Sequence, residues 1–398
     1  MAKRTIDDID VAGKRVLVRE DFNVPLDGDG RIIDDRRVRA ALPSLWQLLE
    51  KGSSLVLMSH LGRPRGQVRS GLSLEPIAQE LHRHLGTSAH LAPDCIGEET
   101  AALASELRPG SVLLLENLRF HPGEEANDIG FARQLADLGN GIYVNDAFGA
   151  AHRAHASTEG ITRHVDHSVA GYLMKKELQY LQEALSEPAR PFVAILGGAK
   201  VADKIEVIEN LLGKVDALLI GGGMSYTFLK ARGQEIGDSL CDEESVSVAA
   251  DLLAKAGDRL HLPEDVVVAR RVAPGAEHEA VAVDAIPGDR AGVDIGPRTR
   301  ERFIEHLSQA GTILWNGPLG VFEIDDFAAG TTAVAQALEQ ATWESGAVSI
   351  IGGGDTAAAV DKAGAAKRMS HISTGGGASL EALGGRVLPG VEALDEGG

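Results

Sequence analysis

Hydrogen-bonding and basic side chains follow the apolar runs in the first half of the chain. They are Asp21 and Asn23 after the run at 15–20, His60 and Arg63 after 54–59, Arg119 after 111–117, and His152 and Arg153 after 141–148. The planar guanidinium of arginine binds the oxygens of an anion such as phosphate in pairs. These residue types in these places are therefore compatible with a small anionic ligand.

Glycine clusters end the apolar runs in the second half of the chain. They are GGAK (197–200), GGGM (221–224), WNGP (315–318), GGGDT (352–356) and STGGG (373–377). Backbone N–H groups in such turns and at helix N-termini form nests that bind phosphate. One such cluster alone is more often a tight turn, but several at successive strand ends favour a polyphosphate site.

Two charged residues stand out among these glycines. Lys200 follows an apolar run and a Gly-Gly pair, which is a costly place for a lysine unless an anion meets it. Asp355 follows three glycines, and magnesium in phosphoryl transfer is typically held by one or two carboxylates together with the phosphates. We therefore expect Lys200 to meet an anion and Asp355 to bind magnesium.

Several other kinds of site are not supported by the sequence. The chain contains neither GxxxxGK[ST] nor GxGxxG, which argues against a P-loop and weakens a dinucleotide-binding interpretation. His152 and His155 have a spacing of three, but no cysteine or carboxylate pattern completes a zinc site. Arg36 and Arg39, each taken alone, fit a solvated helix face.

Short apolar runs alternate with longer segments of helical periodicity. Segments 36–52 and 204–215 carry apolar residues at spacings of three and four, which is typical of helices. The apolar runs predict strands buried on both faces, at 15–20, 54–59, 111–117, 141–148, 191–198, 216–223, 265–270, 311–318, 349–355 and 370–377. This alternation predicts an α/β fold with parallel sheets, and ligands bind at the carboxyl ends of such strands.

Length and composition bound the remaining possibilities. A chain of 398 residues predicts two domains, with a boundary in the predicted helix at 175–188. The formal net charge of −19 argues against nonspecific nucleic-acid binding. No run approaches the roughly 18 apolar residues of a membrane span, and the absence of a signal-peptide pattern or a disulfide framework predicts a cytoplasmic protein. The acidic, lysine-poor composition fits either life in high salt or an arginine-rich codon bias.

Long motifs occur in one order along nearly the whole sequence. They are DFNVPL (21–26), RVRAALP (37–43), MSHLGRP (58–64), LLENLRFHPGEE (114–125), NDAFGAAHRAHAST (145–158), AILGGAKVADKI (194–205), LLIGGGMSYTFLKARG (218–233), WNGPLGVFE (315–323), GGGDTAAAV (352–360) and STGGGASLE (373–381). In these motifs the chain resembles the phosphoglycerate kinase family.

The resemblance implies a fold and a reaction. It implies two Rossmann-like lobes, each a parallel β-sheet flanked by helices, which are joined by a hinge. The expected divisions are a glycerate-binding lobe at 1–170, an interlobe helix at 171–190, a nucleotide-binding lobe at 191–379 and a segment at 380–398 that returns to the first lobe. The implied reaction is phosphoryl transfer between 1,3-bisphosphoglycerate and MgADP, giving 3-phosphoglycerate and MgATP. We expect a monomer that binds these small molecules.

The resemblance also implies roles for individual residues. Arg37 and Lys200 are the expected catalytic residues. The expected glycerate-binding residues are Asp21, Phe22, Asn23, Arg37, His60, Leu61, Gly62, Arg63, Arg119, His152 and Arg153. The expected nucleotide-binding residues are Lys200, Lys204, Asn316, Glu323, Gly353, Gly354, Asp355 and Thr356, with Asp355 as the magnesium ligand.

Three residues depart from the family pattern, and three rival functions are weighed against it. Glu20 stands where a small or apolar residue is usual, and strand alternation predicts that it points away from Asp21. Arg270 and Ala202 are the other departures. The rivals are another carboxylate or acyl-phosphate kinase, a nicotinamide dehydrogenase and an inactive relative that only binds. The DFN, HLGRP and HRAH motifs speak against the first rival, and the missing GxGxxG speaks against the second. Intact Arg37, Lys200 and Asp355 speak against the third.

Overall fold

The computed structural model describes residues 3–397, with residues 183 and 184 described by their backbone alone. The chain forms two compact units. The first extends to Gln179 and resumes at Val387, and the second runs from Tyr180 to Arg386. The division therefore falls inside one helix, Tyr172–Ser186.

The first unit is a parallel sheet of six strands with helices between them. The strands are β1 (Arg15–Arg19), β2 (Ser54–Met58), β3 (Ala89–Leu91), β4 (Val112–Leu114), β5 (Ile142–Asn145) and β6 (His167–Ala170), in the order β3-β4-β2-β1-β5-β6. All five strand pairs are parallel. The helices are α1 (Arg36–Glu50), α2 (Glu75–Leu85), α3 (Glu98–Ser105), α4 (Pro122–Glu125), α5 (Ile129–Ala136) and α6 (Tyr172–Ser186).

The register of the central strands brings their polar ends to one edge. Arg19 at the end of β1 pairs with Met58 of β2 and with Asn145 of β5. The residues that follow these three strands therefore leave the sheet at the same level. Helix α1 packs against this sheet through apolar residues at spacings of three and four, among them Val38, Ala41, Leu45 and Leu48.

The second unit has a six-stranded parallel sheet of its own. Its strands are β7 (Phe192–Leu196), β8 (Ala217–Ile220), β9 (Leu260–His261), β13 (Thr312–Asn316), β14 (Val348–Gly352) and β15 (His371–Ile372), in the order β15-β14-β13-β7-β8-β9. The helices are α7 (Ile205–Leu212), α8 (Met224–Ala231), α9 (Val246–Ala256), α10 (Pro297–Ser308), α11 (Ala329–Ser345), α12 (Gly354–Lys362) and α13 (Gly377–Leu383). The predicted α/β class with two parallel sheets is confirmed.

Two predicted strands differ from the structure. The run at 265–270 does not join the parallel sheet, because β10 (Asp265–Ala269) pairs antiparallel with β11 (His278–Ala282) and β12 (Ala291–Ile295). An apolar run is buried in either kind of sheet, so its composition does not reveal its partners. The run at 370–377 is mostly loop, since β15 contains only two residues.

The last described residues belong to the first unit. Helix α14 (Pro389–Glu392) lies there, and Gly390 N donates to Ala151 O at 2.9 Å. Asn145 Nδ2 in turn donates to Gly390 O at 3.0 Å. No helix among the described residues is long and apolar enough to cross a membrane.

The strand ends of the second unit are packed too closely for most side chains. Asn316 of β13 pairs with Leu196 of β7 and with Gly352 of β14, so these strands end level with one another. Gly317 follows with a φ of +95°, and a Cβ there would overlap the carbonyl of Gly197. Glycine at this position lets the two chain segments approach.

We expect Gly317→Ala to destabilise the protein more than Gly346→Ala does. Both glycines have a positive φ, at +95° and +72°, so alanine costs about 1–2 kcal/mol of backbone strain at each. Gly346 has open space around its Cβ position, whereas the overlap at Gly317 adds about 1–3 kcal/mol. Urea unfolding of both variants measures the difference, and equal losses would show that the strand ends are not tightly packed.

Candidate active site

The candidate site in the first unit is built on an ion pair at the end of β1. Arg37, in the first turn of α1, donates from Nη1 to Asp21 Oδ1 at 3.0 Å and to Asn23 O at 2.9 Å. The same Asp21 oxygen accepts from Asn23 N at 3.1 Å. The Asp21 side chain is 7% exposed, whereas that of Arg37 is 29% exposed. The pair therefore fixes Nη1 of Arg37 and leaves part of its side chain exposed.

The turn after β2 is tied to this pair. Gly62 N donates to Asn23 Oδ1 at 2.8 Å, and Arg119 Nη1 donates to Gly62 O at 2.9 Å. Asn117 supports the same turn, since its Nδ2 donates to Leu61 O at 2.8 Å. Burial lowers the pKa of Arg119, with nearby arginines adding to the effect. The strand ends of β1, β2 and β4 thus form one hydrogen-bonded group.

His60 lies within this group and is 4% exposed. Burial lowers the pKa of its imidazole well below the usual value, and the neighbouring charges of Arg19, Arg119 and Arg37 lower it further. A buried imidazole among three guanidinium groups stays neutral at physiological pH.

The other predicted glycerate-binding residues have different surroundings. Arg63 and Arg153 are exposed, and Arg153 Nε donates to His152 Nε2 at 3.0 Å. Phe22 and Leu61 belong to the hydrophobic core, with 0% and 2% exposure. Their side chains therefore pack beneath the site.

Sequence reasoning missed a buried polar layer that includes Arg19, Glu124 and Ser157. All three residues are fully buried, with 0% exposure. Arg19 is the last residue of an apolar run, so a charge in a predicted buried strand was the available signal. Glu124 and Ser157 stand inside two of the long motifs, but no spacing relates them to Arg19.

Lys204 is the buried lysine of the second unit. Its Nζ donates to Gly197 O at 2.7 Å, to Asn316 O at 2.8 Å and to Asn316 Oδ1 at 2.6 Å. Burial lowers its pKa to about 7. This ammonium holds the ends of β7 and β13 together.

Lys200 is exposed, so the prediction that its charge carries a cost of burial is wrong. The chain turns outward after Gly198, which has a φ of +100°, and returns inward in a 3₁₀ turn at Ala202–Lys204. The cost of burial falls on Lys204, four residues later. Lys200 keeps an accessible ammonium beyond the end of β7.

The N-terminus of α12 lies beside these strand ends. Thr356 Oγ1 donates to Gly352 O at 2.8 Å and accepts from Gly317 N at 2.7 Å. Gly353 is the N-cap residue with a φ of +93°, and Gly354 after it is exposed. Asn316 Nδ2 is buried and has no hydrogen-bond partner among the residues that the structure describes. These donors at the start of a helix suit an anion such as a nucleotide phosphate.

The surroundings of Asp355 fit a magnesium ligand. Its side chain is exposed in the first turn of α12, and no hydrogen bond or ion pair to it is made within the described part of the chain. One accessible carboxylate next to a phosphate-binding helix end matches the way magnesium is held with nucleotides. Glu323 is also exposed, and its carbonyl accepts from Lys362 Nζ at 3.2 Å.

Glu20 is fully buried, and neither carboxylate oxygen has a hydrogen-bond partner among the described residues. Burial raises its pKa well above the usual value, and the nearby carboxyl of Asp146 raises it further. The pKa of Asp146 is itself raised by burial, to about 7. The folded protein therefore holds a proton on Glu20 at a pH where the unfolded chain has lost it.

We expect Glu20→Gln to become increasingly stabilising, relative to the original chain, as the pH rises above the ordinary glutamate pKa of about 4.3. A carboxyl with a raised pKa costs nothing below its unfolded pKa, and its cost grows by about 1.4 kcal/mol per pH unit until its folded pKa is reached. Glutamine removes this dependence. Urea unfolding across this pH range measures the difference, with exposed Glu244→Gln as the control, and a difference independent of pH would contradict the burial argument.

Comparisons with known proteins show the family of the chain. The model of the family "Phosphoglycerate kinase" matches residues 6–386. The phosphoglycerate kinase of Chlorobium luteolum is 58% identical over 398 residues, which cover 99% of this chain and 100% of that protein. The phosphoglycerate kinase of Acaryochloris marina is 57% identical over 402 residues, which cover 100% of both.

Solved structures give the same result. The structure of phosphoglycerate kinase from Coxiella burnetii has a TM-score of 0.87 and 41% identity, and the match covers 98% of each chain. Phosphoglycerate kinase from Pyrococcus horikoshii has a TM-score of 0.86 and 32% identity over 99% of this chain and 98% of that one. The chain belongs to the phosphoglycerate kinase family.

Proposed function

We propose that the protein transfers a phosphoryl group reversibly between 1,3-bisphosphoglycerate and MgADP, giving 3-phosphoglycerate and MgATP. The observation that carries the proposal is the bonded group of Asp21, Asn23, Arg37, Gly62 and Arg119 at the strand ends of the first unit. It supplies fixed cations and donors, as a substrate with a carboxyl and a phosphate requires.

The first unit is proposed to bind the glycerate. Asp21 and Asn23 would hydrogen-bond its hydroxyl end, as the family motif implies. His60, Arg63, Arg119 and Arg153, with His152 nearby, would hold the phosphate that is not transferred. Phe22 and Leu61 would shape this region from below through packing. Arg37 would lie beside the carboxyl that gains or loses the phosphoryl group, as the family motif implies, and its side chain is partly exposed.

The second unit is proposed to bind the nucleotide. Gly353, Gly354 and Thr356 lie at the start of α12 and would place backbone and hydroxyl groups against the phosphates. Asn316 would offer its buried Nδ2, which no described residue accepts from. Lys204 adds positive charge next to Asn316, and Glu323 would help to place the ribose. Asp355 would hold magnesium, which when bound neutralises charge on the phosphates.

Catalysis in this proposal is positioning plus charge stabilisation. The carboxylate of 3-phosphoglycerate is itself the nucleophile and has no proton to lose at neutral pH, so no general base is required. Arg37 would stabilise charge at the acceptor carboxyl, and Lys200 would stabilise charge on the group in transfer. Transfer requires the two substrates to meet without water, or ATP would be hydrolysed. We propose that a hinge near 170–190 and the STGGG loop provide this closure, in a monomeric cytoplasmic enzyme.

A coupled assay of the purified chain with 3-phosphoglycerate and MgATP tests the proposal directly. We expect turnover that depends on both substrates and on magnesium. Acetate in place of 3-phosphoglycerate is the control for a kinase of simple carboxylates, because it lacks the phosphate that the basic residues would bind. Equal rates with both acceptors, or no turnover with 3-phosphoglycerate, would refute the proposal.

We expect Arg37→Ala to lower kcat by at least about 100-fold, as the loss of a fixed donor at a transition state does. The matched control is Arg39→Ala on the same helix, where Arg39 pairs with Asp35 at 3.0 Å and has a 57% exposed side chain. Circular dichroism checks that both variants fold. A kcat close to that of the original chain in Arg37→Ala would remove Arg37 from the catalytic role.

We expect substitutions of Lys200 and Lys204 to have different effects, the first on catalysis and the second on stability. Lys200→Ala should lower kcat by about 100-fold with little change in stability, because Lys200 is exposed. Lys204→Met should instead lower the free energy of unfolding by about 1–3 kcal/mol, because it removes the donor that three buried acceptors share. Kinetics and urea unfolding of both variants measure this. Weaker nucleotide binding at an unchanged kcat would reduce Lys200 to a binding role.

A further inference from the structure

Arg19 is a buried arginine, and each of its three side-chain nitrogens faces a hydrogen-bond partner. Its Nε donates to Ser157 Oγ at 2.8 Å, and its Nη1 donates to the carbonyl of Glu20. Its Nη2 lies 3.2 Å from Nδ1 of His60. A guanidinium buried at 0% exposure needs such partners, because an unpaired buried charge is costly.

Glu124 holds this arginine from the other side. Its Oε1 lies 3.9 Å from Arg19 Nη2, and both side chains are fully buried. Ser157 fixes the carboxylate, since its N donates to Glu124 Oε2 at 3.0 Å and its Oγ donates to Oε1 at 2.6 Å. Arg19 is therefore restrained through Ser157 and Glu124 together.

The contact between Arg19 and His60 determines which ring nitrogen carries the proton. A guanidinium has five donors and no acceptor, so Nδ1 of His60 must be the acceptor. A neutral imidazole has one donor nitrogen and one acceptor nitrogen. The proton therefore lies on Nε2.

Asp21 does not compete for this nitrogen. Its Oδ1 lies 4.0 Å from His60 Nδ1, beyond hydrogen-bond distance. The same oxygen already accepts from Arg37 Nη1 and from Asn23 N. The charges that face the ring, which belong to Arg19, Arg37 and Arg119, also oppose a second proton on it.

We propose that Arg19 is a positioning residue that fixes His60 as the Nε2–H tautomer, so that His60 serves as a neutral hydrogen-bond donor to the anionic substrate. The substrate part of this inference rests on the proposed function. The tautomer part rests on the contacts of Arg19 alone. Arg19 does not need to touch the substrate to act in this way.

The tautomer can be measured in the unmodified protein. In ¹⁵N NMR of histidine side chains, an acceptor ring nitrogen resonates far downfield of a protonated one, and the spectrum of His60→Gln identifies the His60 signals by their loss. We expect Nδ1 of His60 to be the acceptor and Nε2 to be protonated at neutral pH. A protonated Nδ1 would overturn the proposal. This measurement requires neither a variant of Arg19 nor enzyme activity.

Replacement of Arg19 tests its part in fixing the tautomer. Arg19→Met keeps an unbranched side chain but removes the donor, so the His60 signals should move toward the average of two tautomers. An unchanged Nδ1 signal in the folded variant would show that another group fixes the ring. Arg63→Met, at an exposed arginine beyond the same strand, is the control and should leave the His60 signals unchanged.

Two amide variants of His60 test the donor. The amide nitrogen of glutamine can occupy the place of Nε2, whereas that of asparagine falls near Nδ1. His60→Gln should keep the KM for 3-phosphoglycerate within about threefold, and His60→Asn should raise it about tenfold, with kcat little changed in both. The reverse order would overturn the proposal. Absent turnover in the original chain would refute the proposed function and leave the NMR result on the tautomer standing.

Discussion

A charged group that leaves water at the end of a buried strand must find a partner or give up its charge. Both units are organised around this constraint. In the first, Arg19 is matched by Glu124 and Ser157, and Arg37 is matched by Asp21. These internal pairs hold the cations in place before any ligand arrives, so little ordering remains to be done when an anion binds.

In the second unit, the charged group at the buried strand ends is the ammonium of Lys204. Lys204 gives its three donors to oxygens of Gly197 and Asn316, and these residues lie at the ends of neighbouring strands. Glycine at 317 is what allows this approach, since a side chain there would meet the Gly197 carbonyl. The close approach of these strand ends, where phosphate is proposed to bind, therefore depends on the buried Lys204 and on the absence of a Cβ at Gly317.

The sequence was sufficient to predict the class of fold and the sheet edge at which the candidate site lies. Parallel strands end at the same edge, and the residues at these ends are polar. It could not separate Lys200 from Lys204, since both follow the same strand and only the path of the turn decides which is buried. The antiparallel sheet was missed because the apolar run of β10 resembles those of the parallel strands. The layer of Arg19, Glu124 and Ser157 was missed because its members meet only in three dimensions.

Arg19, Glu20 and Asp21 are consecutive residues at the end of β1, and they have different surroundings. Arg19 acts beneath the site on His60, and Asp21 acts within the site on Arg37. Glu20 between them is buried, and its carboxylate oxygens have no hydrogen-bond partner within the described part of the chain. Burial raises its pKa well above the usual value, which favours the neutral form. An ionised Glu20 would place a negative charge directly between Arg19, which contacts His60, and Asp21, which pairs with Arg37. The neutral form of Glu20 thus adds no negative charge beside Arg19, Arg37 and His60, where an anion is proposed to bind.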